Sequence, residues 1–156
     1  MMNRLKLVVI LLVYITSCGS FIPAPPRKTP VKASTYTITI KITDIRNKSG
    51  HIVVQLYKDQ ESFTKEIPWK STRISKENLN GRTIIHKISG FKPGVYGLAL
   101  HDDENRNNKM DYGWVLPKEG FGFSDYFHTA FSKPKFDNFK FNLRSDKTVT
   151  IRVRYM

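Results

Sequence analysis

Ligand chemistry is concentrated in one stretch of the 156-residue chain, Asp102-Asp103-Glu104-Asn105-Arg106-Asn107-Asn108-Lys109-Met110-Asp111. From Asp103, side-chain oxygens recur at Asn105, Asn107 and Asp111. Asn108 stands where a calcium loop usually turns on glycine, and Lys109 where such a loop lends a backbone carbonyl. Calcium needs six to eight oxygens, so Asp102 or Asp103, with Asn105, Asn107, Lys109 and Asp111, would supply most of a shell. Trp114 occupies the place of the bidentate glutamate in a twelve-residue EF-hand loop. A shortened loop completed by water or by a remote carboxylate, Glu119 or Asp125, is therefore expected, with weak affinity of about 10⁻⁴ to 10⁻³ M. The competing reading of the same residues is an Asn/Asp-rich turn whose side chains bond their own backbone.

Other chemistry is thinner. His101 and His128 with Asp102 have the donor types of a zinc or copper site, and Ser124, Asp125 and His128 those of a hydrolytic site. Neither set has a recognised spacing or a nucleophile elbow. A metal-dependent or hydrolytic enzyme using His101 and His128 is thus the alternative to a binding domain. The segment from Tyr112 to Phe141 is dense in aromatics. With His101 and His128, its Trp114, Phe121, Phe123 and Tyr126 form a candidate surface for sugars or an apolar partner, against the plainer role of packing a long loop onto the core.

The elements that must position these residues read as strands. Tyr36, Ile38, Ile40 and Ile42 alternate with polar residues, and Ile52, Val54 and Leu56 alternate after the turn Asn47-Lys48-Ser49-Gly50, which predicts an antiparallel hairpin. Gln60 to Lys65 reads as a helical turn behind Asp59, and no strand is legible from Trp69 to Gly81. Ile84, His86 and Ile88 share a face. After the turn Gly90 to Gly94, Tyr96, Leu98 and Leu100 point one way and Gly97, Ala99 and His101 the other. Phe139, Phe141 and Leu143 alternate, and the last run places Val149, Ile151, Val153 and Tyr155 inward. Short strands without a long helical period predict an all-β fold: one antiparallel β-sandwich of immunoglobulin-like or transthyretin-like type over residues 36–156.

The N-terminus has the order of an export signal. Basic Asn3 to Lys6 precedes the apolar run Leu7 to Ile15, too short to span a bilayer, and small residues follow. Ile15-Thr16-Ser17-Cys18 resembles a bacterial lipobox, giving a signal peptide over 1–17 and Cys18 as the lipid-bearing residue. Cys18 is the single cysteine, so a disulfide within the chain is excluded. Residues 18–35 form the lipidated cysteine and a Pro-rich, semi-rigid tether. The formal charge of +13, or 13 − 2 = +11 without Arg4 and Lys6, favours polyanionic surroundings. For an exported chain these are anionic lipid or acidic envelope polymers rather than nucleic acid. The expected location is the bacterial cell envelope, as a membrane-anchored lipoprotein facing away from the cytoplasm.

Pro93-Gly94-Val95-Tyr96, then His101-Asp102-Asp103-Glu104-Asn105 through Asp111, resembles the bacterial exported family catalogued as domain of unknown function 2141. Pro117-Lys118-Glu119-Gly120-Phe121-Gly122-Phe123-Ser124 and Phe131-Ser132-Lys133-Pro134-Lys135-Phe136-Asp137 look like the same family's later landmarks. The chain departs from that pattern in carrying one acidic residue too many between His101 and Asn105, and Asn108 in place of glycine. The resemblance covers Tyr36 to Tyr155 and implies a small exported β-sandwich. It implies no activity.

Overall fold

A computed structural model describes residues 34–114 and 116–156; the export segment, Cys18 and most of the tether lie outside the described residues. The order of elements is β1 (Tyr36–Thr43), β2 (His51–Tyr57), α1 (Gln60–Thr64), β3 (Lys70–Ser75), β4 (Ile84–Phe91), β5 (Gly94–Asp103), β6 (Gly120–Phe123), α2 (Phe136–Phe139), β7 (Lys140–Leu143) and β8 (Lys147–Arg152). Two sheets pack face to face: β4-β1-β8, and β3-β2-β5-β6 with β7 also paired to β5. The all-β sandwich expected from the alternation is the fold.

The core between the sheets is made by the inward sets of that alternation. Ile38, Ile40, Ile42, Val149 and Ile151 meet Ile52, Val54, Leu56, Leu98 and Leu100, all buried. Burying such a side chain contributes roughly 1.5–3 kcal/mol, so this layer is the main stabilising element. A second, smaller core lies on the opposite face of the five-stranded sheet. There Tyr57, Phe63, Ala99, Phe121, Phe123, Phe136 and Phe139 pack together, with α1 and α2 supplying Phe63, Phe136 and Phe139. Asp59 caps α1 by accepting from the Ser62 amide at 2.7 Å.

Four expectations need correction. β1 and β2 do not form a hairpin, because the chain leaves β1 at Asp44, in the left-handed region at φ 64°, and buries Ile45 while passing to the other sheet. β8 pairs parallel to β1, Ile38 opposite Lys147 and Ile42 opposite Ile151, so the three-stranded sheet is mixed. β3 was illegible because it is an edge strand with one buried side chain, Ile74. Phe139 does not continue the alternation of Phe141 and Leu143; it ends α2 and joins the outer core.

Gly97 makes that outer core possible. A Cβ there would meet the rings of Phe136 and Phe139 at 2.6 and 2.7 Å, so the bare backbone lets α2 lie on the sheet. Gly97→Ala should cost about 1–3 kcal/mol by overpacking, read as a lower denaturant midpoint with an unchanged slope. An unchanged midpoint would contradict the close packing of α2.

Candidate ligand cleft and cation loop

The site begins at the end of β5, where strand alternation sends neighbouring residues to opposite faces. His101 and Asp103 emerge on the outer face, opposite Val53 and His51 of β2, and Asp102 turns inward. Asp102 and Lys76 are both fully buried and form an ion pair, and Tyr155 donates its hydroxyl to Asp102 Oδ2 at 2.6 Å. Burial pushes the Asp102 carboxyl up, opposed by Lys76 and Tyr155. The Tyr155 hydroxyl is pushed up by burial and by Asp102, and so stays a donor. It also accepts from the Arg46 amide at 3.0 Å, while the Arg46 guanidinium lies 4.4 Å from the Tyr155 ring centre and grips Glu104 at 2.6 and 2.8 Å. Asp102 is thereby committed to the interior, and the first side-chain oxygens available to the loop are those of Asp103.

From Asp103 the chain winds around its own polar side chains. Asp103 Oδ1 and Oδ2 accept from the amides of Asn107 and Asn108 at 3.0 and 2.8 Å, and His51 Nε2 stands 3.1 Å from Oδ2. Asn105 Oδ1 accepts from the Asn107 amide, and Asn107 Oδ1 from the Lys109 amide. The amide groups of Asn105 and Asn107 both reach Asp111, at 2.5 and 2.9 Å. Asn108 has φ 63°, the left-handed conformation for which glycine is the usual residue and which asparagine tolerates.

Glu119, buried at the entry to β6, accepts from the Glu104 and Asp111 amides at 3.1 and 3.2 Å. Its carboxyl is pushed up first by burial and further by Asp111 and Asp103, so three acidic groups share this corner. Of the two remote carboxylates considered, Glu119 joins the loop. Asp125 does not; it accepts from the Thr150 amide at 2.8 Å. Gly50 closes the other side, with φ 71° and a Cβ position only 1.9 Å from the Asp103 carbonyl.

The loop forms one wall of a half-open cleft of about 510 Å3 over the outer face of the five-stranded sheet. Asn108, Lys109, Met110 and Tyr112 belong to this wall; Tyr57, Phe63, Ala99, His101, Phe121, Phe123 and His128 line the rest of the cleft with the 130–134 segment. The rings meet edge to face, as at Tyr57–Phe63 with centres 5.2 Å apart and Phe123–His128 at 5.9 Å. Burial lowers the His101 pKa, keeping the ring neutral at pH 7, and its Nε2 has no hydrogen-bond partner. Tyr57, pushed up to about 12 by burial and Glu66, remains a phenol and donates to Gln55.

The aromatic surface expected from sequence is only partly assembled. His101, Phe121, Phe123 and His128 share the cleft, and Tyr126 packs beside it on the outer core. Trp114 is fully exposed and outside it. Residues that escaped sequence reasoning are Tyr57 and Phe63, supplied by β2 and α1, whose local patterns look like ordinary core, and Lys76, hidden in a polar stretch. The enzyme-like sets do not assemble. His101 and Asp102 face opposite ways, and His128 Nε2 lies 2.6 Å from the Ser132 carbonyl. Ser124 donates to the Phe139 carbonyl and accepts from the Leu98 amide. Among the described residues no group of three or more His, Cys, Asp or Glu side chains is arranged to hold a metal.

A two-sheet β-sandwich with a self-wound Asn/Asp loop beside an aromatic cleft defines the class. Residues 40–152 match the model of the family described as "Uncharacterized protein conserved in bacteria (DUF2141)", and the chain belongs to that family. No curated protein and no solved structure matches it.

The buried ion pair yields a direct test. Lys76→Ala would leave the Asp102 carboxylate unpaired in the interior and should destabilise the domain by about 3–5 kcal/mol, whereas Lys76→Met with Asp102→Leu should recover most of that loss. Equal destabilisation of the single and double variants in urea would contradict the pairing.

Proposed function

We propose that the chain is an envelope lipoprotein, held on a membrane through Cys18, whose β-sandwich binds a ligand or partner in the cleft, with calcium ordering the 103–111 wall. The observation that carries this reading is the convergence of Asp103, Asn105, Asn107 and Asp111 in a loop that is also the cleft wall. Each of the Asp103, Asn105 and Asn107 oxygens that accepts an amide keeps a second lone pair. A calcium ion would replace the two asparagine donors as the positive partner of Asp111, take the Lys109 carbonyl, and offset the crowding of Asp103, Asp111 and Glu119. The internal hydrogen bonds hold the loop together without the ion, consistent with a weak site rather than a dry cage. The basic surface would rest against anionic lipid or an acidic envelope polymer.

Calcium at about 10 mM should stabilise the domain by about 1.4–2.7 kcal/mol for the affinity expected of such a loop. The melting temperature should rise by a few degrees, and Asp103→Ala with Asp111→Ala should abolish the rise. A melt that does not move with calcium would remove the ion from this reading. Cys18→Ser should move the protein from the membrane to the soluble fraction and abolish labelling by a fatty-acid analogue; undiminished labelling would refute the anchor.

A further inference from the structure

One pole of the sandwich gathers cationic and aromatic side chains. β1, β3, β5 and β8 begin there and β2, β4 and β7 end there, as the pairs Tyr36–Phe91, Leu56–Lys70, Tyr57–Gly97, Gly94–Leu143 and Ile38–Lys147 show. Trp69 stands at this pole half exposed, at 51 %. Its ring leans on Phe91 and Tyr96, with centres 6.1 Å from each, and the Lys58 ammonium lies 4.0 Å from its centre. Tyr96 donates its hydroxyl to the Lys92 carbonyl at 2.9 Å, which ties the turn between β4 and β5, and with it exposed Lys92 and Val95, to the same cluster. Lys70 comes to 5.5 Å from the Phe91 ring centre and Lys147 to 5.8 Å from that of Phe141.

Lys58, Lys70, Lys92, Arg144 and Lys147 stand here against Asp59 and Asp146, and both aspartates already accept backbone amides, from Ser62 at 2.7 Å and from Thr37 at 2.8 Å. The surplus charge is positive, and it surrounds an exposed indole. That combination suits a membrane–water interface, where lysines are drawn to anionic headgroups and an indole settles at headgroup level. An acidic polymer would match the charges alone and give Trp69 and Val95 no apolar partner. We infer that this pole rests on an anionic phospholipid surface, with Trp69 and Val95 at headgroup level and Lys58, Lys70 and Lys92 against the phosphates. The chain enters the sandwich at the same pole, at Tyr36, so a tether from Cys18 raises the effective concentration of lipid at this face and a weak contact suffices. The 103–111 loop, at the other end of β5, then faces away from the lipid. This rests on the proposed membrane attachment and gives it an orientation.

The test uses the full chain with Trp114→Phe, a change at a fully exposed residue that leaves Trp69 as the one tryptophan. It is mixed with vesicles of brominated phosphatidylcholine, alone or with brominated phosphatidylglycerol. On the anionic vesicles Trp69 emission should move to shorter wavelength and be quenched, and high salt should reverse both; on phosphatidylcholine alone neither should occur. Trp69→Phe, reporting instead from Trp114 in the turn bridged by Tyr112 and Pro117 at the loop end, should stay unquenched on both. Lys58→Gln with Lys92→Gln should lower the docked-to-free ratio about thirtyfold, each lysine near such a surface being worth about fivefold. The comparison of the two vesicle types with Trp114→Phe decides the matter even if the lysine variant misfolds. Trp69 unquenched on anionic vesicles, quenched equally without phosphatidylglycerol, or quenched no more than Trp114 overturns the inference, as does a shift of Trp69 with polyglutamate when anionic vesicles leave it unmoved. Fatty-acid labelling separates the two ideas: a labelled chain with Trp69 unquenched removes the docking face alone, and an unlabelled chain with Trp69 quenched on anionic vesicles removes the anchor alone.

Discussion

The site depends on the two-residue period of a single strand. Because successive side chains of β5 leave on opposite faces, Asp102 and Asp103 are neighbours in sequence with unrelated duties. Asp102 enters the interior and requires a cation there, which Lys76 supplies and Tyr155 supports. Removing a buried charge's partner is far more costly than replacing the whole pair. The pair therefore holds the end of β5 against the residues after β3 and after β8, and that fixed end is the platform from which Asp103 organises the loop.

Outside the sheet the same strand does the reverse. Asp103 draws two amides onto its carboxylate and starts a turn in which the side-chain NH2 groups of Asn105 and Asn107 donate to Asp111, with Glu119 closing the corner at the entry to β6. His101, two residues earlier on the same face, lies in the cleft that this turn walls. Loop and cleft are thus mechanically continuous, and whatever stiffens residues 103–111 also sets the position of Met110 and Tyr112 beside the aromatic floor.

Much of this was legible in the sequence where one rule acted alone. The alternating isoleucines of β1 and the inward valine and isoleucine of β8 reported their strands because one face of each is buried. The oxygen spacing from Asp103 to Asp111 likewise located the loop. Partnering was not legible: nothing local tells β1 to pair with β4 and β8 rather than β2, because Asp44 and the buried Ile45 decide that crossing through tertiary packing. Which aspartate heads the loop depended on Lys76, a residue 26 positions away in a stretch without periodicity. The cleft was half visible, since Phe121, Phe123, His101 and His128 were readable as a set, but Tyr57 and Phe63 come from elements whose own patterns say only that they are buried.

Calcium ordering of the 103–111 wall of the cleft is a proposal, and backbone amide resonances followed through a calcium titration test it most directly. Saturable shifts are expected at Asn107, Asn108, Lys109 and Asp111 in the range of about 10⁻⁴ to 10⁻³ M, with Met110 and Tyr112 moving on the same curve. Amides of the loop that stay in place across that range, or a response spread over the surface without saturation, would contradict it.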